Sequence, residues 1–183
     1  MKKYLLAAGL FSLAALLSGA ENLMKDPAVS YKVFPGSWNR KLLQGKLGLT
    51  LDPDLDLKTG TRKGLLTDGK TFQRAVVYNY HRAAREFCFV TIEVDLGKPR
   101  TLSEIRVMAV ENNSLYRPAK IEVSGGPGNL VCEPLGSSTE WKKKQYVRTA
   151  AITGSWSGCR FLRIRVYSAA GWINVSEIEV YGK

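Results

Sequence analysis

The sequence predicts an all-β protein, an antiparallel β-sandwich or jelly roll, and two observations support that prediction. Short segments alternate apolar and polar residues, as in "VTIEVDLG" (90–97) and "KIEVSGG" (120–126). Turn signals rich in Gly, Pro and Asn, such as "GGPGN", separate these segments, whereas helical periodicity is scarce after the first 20 residues. Such alternation is typical of antiparallel sheets with one buried face, and several short strands in one domain indicate a sandwich.

The alternation predicts strands, in chain order, at 90–97, 102–110, 120–126, 146–154, 159–168 and 173–182. The first is expected to stop at the turn signal "GKP" (97–99). In the strand at 159–168, Phe161, Ile164 and Val166 are expected on one side, opposite two arginines. Low helix content follows, and function is expected in the loops at the ends of the sheets.

Residues 1–20 predict a cleaved secretory signal peptide. Two lysines precede the uncharged run "YLLAAGLFSLAALL", and Ser18-Gly19-Ala20 supplies small residues before Glu21, the expected first mature residue. A membrane anchor is the alternative, but the run is shorter than the ~20 residues of a membrane span. We therefore expect an exported protein, secreted or periplasmic, with one domain at 21–183 and a signal of bacterial type.

The charge of the mature chain is strongly positive. Residues 1–20 hold two of the 27 basic residues and none of the 16 acidic ones, which leaves a net charge of +9. An exported protein this basic is expected to attract polyanions such as acidic polysaccharides, although solubility alone is the alternative explanation. The basic residues are spread along the chain except in "WKKKQYVR" (141–148). No specific nucleic-acid partner is indicated.

The three cysteines are Cys88, Cys132 and Cys159. Export favours a disulfide, but an odd count leaves one thiol over, and all three lie beside strand-like apolar residues. Burial as small hydrophobic side chains is the alternative to pairing. A zinc site is not expected, because the cysteines are far apart and His81 is the only histidine.

Several segments together resemble the discoidin family, also called the coagulation factor five/eight type C domain, which includes galactose-binding-like carbohydrate-binding modules. In order, they are "ENLMKDPAVSY", "KGLLTDGKT", "FVTIEVDLGKPRTLSEIRV", "RPAKIEVSGG", "CRFLRIRV" and "GWINVSEIEVYG". The resemblance covers nearly all of the mature chain. It implies a jelly roll of about eight antiparallel strands without enzymatic activity, whose loops at one end bind a glycan, a phospholipid headgroup or a protein.

Three loops carry the residue types that bind sugars: an aromatic ring for the apolar face of the sugar and side-chain donors for its hydroxyls. The predicted ligand-binding residues are Tyr80, His81 and Arg82 in the first loop, Asn113 and Arg117 in the second, and Trp172 and Asn174 in the third. The Arg117 position matches one where the family often has a sugar-binding arginine. The alternatives are that Trp172 packs in the core, that His81 has no role and that Arg117 only pairs with a carboxylate. Trp141 and Trp156 are expected to pack.

The Asp-Gly turn at 68–69 raises the question of calcium, which many relatives bind there as a structural ion. Asp68, Thr71 and Glu177 are the expected ligands. Lys70, however, stands where relatives have an oxygen ligand, so its ammonium could replace the metal by bridging the two carboxylates.

An intrinsic enzyme is not expected. The sequence contains no nucleophile elbow of the type G-x-S-x-G around its histidine, and the clustered acids of "LDPDLDLK" (51–58) are expected on one exposed face. The sequence therefore predicts a non-catalytic binding module for carbohydrate, of galactose type or acidic. The alternative is a structural or adhesive protein that binds a protein or a polyanionic cell surface by charge.

Overall fold

Nine strands and three short 3-10 turns make up the part of the chain that the computed structural model describes, residues 19–35, 65–72, 76–79, 89–169 and 172–183. The strands are β1 (Glu21–Asn22), β2 (Ser30–Pro35), β3 (Val76–Asn79), β4 (Phe89–Val110), β5 (Pro118–Gly128), β6 (Val131–Ser138), β7 (Lys142–Lys144), β8 (Val147–Ser168) and β9 (Trp172–Gly182). The 3-10 turns are Leu23–Lys25, Leu65–Thr67 and Ser114–Tyr116. The predicted all-β class is confirmed. The predicted signal peptide remains a prediction, because residues 1–18 lie outside the described part.

The two longest strands, β4 and β8, each run through both sheets of the fold. Their pairing is antiparallel, and its register is irregular between Asp95 and Glu104. Before this irregularity, β4 lies between β2 and the second half of β8. The second half of β8 also pairs with β5, and β5 pairs with β6. After it, β4 lies between β9 and the first half of β8. Strands β1 and β3 pair with β9, and β7 pairs with β8.

One hydrophobic core lies between the two halves. Its buried side chains come from the first half (Ile92, Val94, Ile121, Val123, Ile164 and Val166) and from the second (Ile105, Val107, Ala150, Ile152, Ile178 and Val180). Because alternate residues of both halves are buried in one cluster, the two sheets face each other and remove apolar surface from water. This is the predicted antiparallel sandwich.

The predicted break at 97–99 is a bend rather than a strand end. Gly97 has φ of +77°, and its N–H donates to the Asp95 carboxylate at 2.9 Å. A Cβ at this position would lie 3.0 Å from the Cβ of Ala28, so both the conformation and the space favour glycine. The turn signal therefore produces an irregularity within β4, and the strands predicted at 90–97 and 102–110 are one strand. Likewise, the strands predicted at 146–154 and 159–168 are both parts of β8.

The predicted facing of one aromatic residue is wrong. Leu162, Ile164 and Val166 are buried, which puts Phe161 on the outer side with Arg163. Phe161 is half-buried, and the guanidinium of Arg160 lies 4.9 Å from its ring centroid. By contrast, Trp141 and Trp156 pack against the core as predicted.

Several connections meet at one end of the sandwich. Val110 at the end of β4 pairs with Val147 at the start of β8, and Pro118 at the start of β5 pairs with Ser168 at the end of β8. The backbone N–H of Glu111 donates to the carbonyl of Tyr146 at 2.7 Å. We call this the loop end, formed by residues 111–117, 142–148, 168–169 and 172. The bend at 97–99 and the turn between β5 and β6 lie at the opposite end.

Candidate ligand-binding site

Two aromatic rings from distant parts of the sequence meet at the loop end. Tyr116 closes the 3-10 turn Ser114–Tyr116, where its N–H donates to the carbonyl of Asn113 at 3.2 Å. Trp172 begins β9, and the centroids of the two rings are 5.5 Å apart at an angle of 45°. Both residues are half-buried, and Trp172 is not part of the core cluster. An aromatic surface is thus formed by two of the three predicted loops.

Arg117 follows Tyr116 in the chain and is anchored through its backbone. Its carbonyl accepts the N–H of Ala169 at 2.9 Å and the hydroxyl of Ser168 at 3.3 Å. Its Nε lies 3.7 Å from Oε1 of Glu111, yet its side chain is 56% exposed. Arg117 therefore pairs with a carboxylate, as the alternative interpretation required, and still presents much of its guanidinium to solvent.

Glu111 is the buried centre of a cluster of positive charges. Its side chain is 5% exposed and pairs with Arg117, with Lys143 at 3.8 Å and with Arg148. One carboxylate shared by three cations leaves an excess of positive charge at the loop end. Glu111 is the first residue of the second predicted loop, "ENNSLYRPAK", but a single glutamate carried no signal for this role.

The two predicted asparagines differ in their surroundings. Asn113 is exposed at the loop end. Asn174 is 1% exposed, pairs with Val77 in the sheet, and both polar atoms of its amide lack a hydrogen-bond partner among the described residues. The structure therefore gives the Asn174 amide no exposed surface through which it could meet a ligand directly.

The first predicted loop lies outside the described residues, and with it Tyr80, His81 and Arg82. The described strands on either side of this loop pair with residues near the third loop. β3 ends at Asn79, which pairs with Trp172, and β4 begins at Phe89, which pairs with Tyr167. Ligand contact by Tyr80, His81 and Arg82 remains a prediction.

The Asp-Gly turn lies against β9. The N–H of Gly69 donates to Oε1 of Glu177 at 3.0 Å, and Oδ1 of Asp68 accepts the N–H of Lys70 at 2.9 Å. The ammonium of Lys70 is 3.6 Å from Oδ2 of Asp68. The ammonium of Lys70 therefore pairs with Asp68. The contact between this turn and Glu177 is made by the Gly69 amide. Thr71 is exposed.

Glu177 is a buried carboxyl group with one oxygen unsatisfied. It is 2% exposed, and its Oε2 has no hydrogen-bond partner among the described residues. Burial raises the pKa of Glu177 to about 8; the Gly69 amide opposes this rise, and the charge of nearby Asp68 adds to it. A buried oxygen without a partner beside a second carboxylate fits a cation ligand. The described residues contain no group of three or more His, Cys, Asp and Glu able to hold a metal.

The thiols of Cys132 and Cys159 are free. Cys159 is buried in the core, where desolvation raises its pKa, and Cys132 is half-buried. The burial of Cys159 agrees with its interpretation as a small hydrophobic side chain. Cys88 lies outside the described residues.

The comparisons with known proteins identify the fold. No family model and no curated protein matches the sequence. A family 32 carbohydrate-binding module of Clostridium perfringens NanJ, solved with galactose, is 16% identical with a TM-score of 0.55; the match covers 88% of this chain and 97% of the module. A second module from this organism, CpGH89CBM32-5, solved with GalNAc-β-1,3-galactose, is 12% identical with a TM-score of 0.55, covering 88% and 98%. A Ruminococcus gnavus fucosidase in complex with fucose is 16% identical with a TM-score of 0.57; the match covers 88% of this chain but 26% of the fucosidase.

The chain thus has the fold of the family 32 carbohydrate-binding modules, and the resemblance to the discoidin type inferred from the sequence is confirmed at the level of fold. Among the described residues, no helix has the length and apolar composition needed to cross a membrane.

Proposed function

We propose that this chain is a non-catalytic carbohydrate-binding module that holds a glycan at its loop end and acts outside the cytoplasm. The single observation that carries the proposal is the Tyr116–Trp172 ring pair, which is followed directly in the chain by the exposed side chain of Arg117. Neighbours of the same fold were solved with galactose and with a galactose-containing disaccharide, which supports a sugar as the ligand. The predicted signal peptide supports export.

Each group has a distinct part in this proposal. The aromatic pair offers apolar surface to the C–H face of a sugar ring, and Arg117 donates hydrogen bonds to its hydroxyl or acidic groups. The backbone bonds from Ala169 and Ser168 fix Arg117 relative to Trp172 before the ligand arrives. Such preorganisation lowers the entropy cost of binding.

The proposal is tested by replacing Trp172 and Arg117 separately with alanine and measuring binding to neutral galactosides by calorimetry. We expect each change to weaken binding about tenfold, since an aromatic contact or a charge-assisted hydrogen bond contributes roughly 1.5 kcal/mol. Arg117→Ala leaves Glu111 paired with Lys143 and Arg148, so the fold is expected to persist. Leu130→Ala is the control, because Leu130 is 92% exposed at the opposite end. Unchanged binding in both loop-end variants would show that the site lies elsewhere.

A second candidate function is adhesion to a polyanionic surface by charge alone. The sharing of Glu111 among three cations favours it, because this end keeps an excess of positive charge. Binding of that kind would survive Trp172→Ala and would fail at high salt. The Trp172 variant therefore separates the two functions.

We also propose that Asp68 and Glu177 hold one structural calcium ion, with the Thr71 hydroxyl and carbonyl oxygens as further ligands. The unpartnered, buried Oε2 of Glu177 supports this assignment. Such an ion would supply a positive charge between the two carboxylates and fix the turn to β9.

Thermal unfolding in calcium and in a chelator tests the ion. We expect calcium to raise the Tm of the unmodified protein, by mass action on the folded state, and to leave the Tm of Glu177→Gln unchanged. Thr71→Val, an exposed position, should weaken the response to calcium. If calcium leaves the Tm of the unmodified protein unchanged, the Asp-Gly turn holds no structural calcium.

A further inference from the structure

A second, exposed aromatic pair lies outside the proposed sugar site, and one of its two rings belongs to the loop end. Phe72, which follows the Asp-Gly turn, is 64% exposed, and Tyr146 is 55% exposed. Their ring centroids are 5.9 Å apart at an angle of 43°. Single exposed hydrophobic residues are common, but two large rings from distant segments that meet in solvent indicate a contact surface.

A groove of about 520 Å³ runs along this pair, within the range of small-molecule sites. Thr71 and Phe72 line one side, Lys144, Gln145 and Tyr146 line another, and Met108 lines it from β4. Its lining therefore combines aromatic rings, a hydroxyl, an amide and an ammonium group, which are the groups that bind a polar ligand with an apolar face.

Tyr146 is held in place by a tight hairpin. Lys144 pairs with Val147, so Gln145 and Tyr146 form the two-residue connection between β7 and β8. Gln145 has φ of +54°, a conformation that non-glycine residues adopt at a cost, and the carbonyl of Tyr146 accepts the N–H of Glu111. The ring is thus presented by a constrained backbone anchored to the end of β4.

The same hairpin carries the densest positive charge of the described chain. Lys142, Lys143 and Lys144 are exposed and consecutive, and Arg148 follows. Lys143 and Arg148 share the carboxylate of Glu111, whereas Lys142 and Lys144 have no ion pair among the described residues. The ammonium of Lys144, on the groove, is available to an anionic ligand.

We propose that Phe72, Tyr146 and Lys144 form a second subsite, which binds a carboxylated or sulfated sugar unit of an acidic glycan whose neighbouring unit lies at the Tyr116–Trp172 pair. This rests on the proposed carbohydrate function and specifies its ligand class. Glu111 connects the two sites. Its carboxylate pairs with Arg117 of the first site, and its backbone N–H donates to the carbonyl of Tyr146 of the second. A chain that spans both sites gains affinity because its second unit binds as part of the same molecule.

The charge and chemistry of the groove favour an acidic glycan over a neutral one. No carboxylate of the described residues pairs with Lys144, so an incoming carboxylate or sulfate gains a charge-assisted hydrogen bond without displacing an ion pair seen there. Exposed rings, Thr71 and Gln145 serve the apolar face and the hydroxyls of the sugar. Single-stranded nucleic acid also favours rings and cations, and it is therefore one of the probes in the test.

The test is calorimetric titration of residues 21–183 with four probes: a galacturonate hexamer, a sulfated galactose hexamer that has no carboxylate, a neutral galactose hexamer and a short single-stranded DNA. The variants are Tyr146→Ala, Phe72→Ala and Lys144→Ala, with Trp172→Ala for the first site. Lys98→Ala and Leu130→Ala are matched controls, since both positions are exposed at the opposite end. Because all three groove residues are exposed, their variants are expected to fold, and thermal melting checks this.

We expect at least one acidic hexamer to bind about tenfold more tightly than the neutral one, and the three groove variants to remove most of this difference while the controls retain it. Whether the carboxylated or the sulfated hexamer binds distinguishes the two sources of negative charge. Equal binding of acidic and neutral hexamers, or a preference unaffected by Tyr146→Ala and Phe72→Ala, overturns the subsite. DNA binding as tight as the better acidic hexamer also overturns it, since the surface would then select charge alone. The proposed function fails separately, if Trp172→Ala and Arg117→Ala both leave neutral binding unchanged.

Discussion

At the scale of single residues, Glu122 on β5 shows how the outer face of a sheet uses its charges. Its Oε1 lies 2.5 Å from the Lys120 ammonium, and its Oε2 accepts the hydroxyl of Tyr167 at 2.5 Å. These two bonds, that from Lys120 foremost, hold the pKa of Glu122 below its usual value. A carboxylate with a lowered pKa in the folded state stabilises the fold at neutral pH, and this stabilisation is lost as pH falls through the folded pKa.

We therefore predict that Glu122→Gln lowers the free energy of unfolding by about 1 kcal/mol at neutral pH, a value reduced for partial exposure, and has little effect in acid. Urea unfolding of both proteins across a pH series measures the difference. Glu133→Gln is the control, because Glu133 is exposed on the neighbouring β6 and has no ion pair among the described residues. A difference in the free energy of unfolding that stayed constant with pH would mean that the packing of the Glu122 side chain, rather than its charge, stabilises the fold.

Residue-scale predictions from the sequence succeeded where burial follows a simple alternation. Ile92, Val94, Ile178 and Val180 are buried as the pattern indicated. Simple alternation with Ile178 and Val180 would put Glu177 on the outer side, but Glu177 is buried because the Asp-Gly turn covers it. A residue covered by a segment more than 100 positions away carries no local signal of its burial.

At the scale of elements, the sequence predicted the segments that form β4, β5, β8 and β9, but it predicted neither their continuity nor the strands β1, β2, β3, β6 and β7. The turn signal at 97–99 is real, since Gly97 adopts a positive φ, yet β4 continues through it into the other sheet. Local sequence specifies such a conformation, but only the pairing partners decide whether it ends a strand or bends it. The β7–β8 hairpin was missed for a related reason: Gln145-Tyr146 is not a turn dipeptide, and the basic run drew attention to charge alone.

At the scale of the whole molecule, the candidate site depends on segments that meet only after folding. Residues 65–72, 111–117, 142–148 and the stretch 168–169 with 172 come from four parts of the chain, and the two aromatic pairs each join two of them. The resemblance indicated which loops to examine, because it implied a common end for them. It could not indicate the Phe72–Tyr146 pair, since neither residue belongs to the motifs that carry the resemblance to known sugar sites.

The distribution of charge over the whole molecule leads to a prediction about salt. Residues 21–183 carry a net charge of +9, so any acidic polymer is attracted over long range, and this attraction is screened within about 10 Å at moderate salt. Contacts with aromatic rings and short hydrogen bonds in a groove are screened much less.

On a glycan array at low and high salt, we expect binding to neutral galactosides to change little. Binding to acidic glycans should fall with salt to a level that still exceeds background, because ring contacts at the loop end persist. Complete loss of acidic binding at high salt, together with no neutral binding at either salt, would identify the chain as a charge-driven adhesion protein rather than a sugar-binding module.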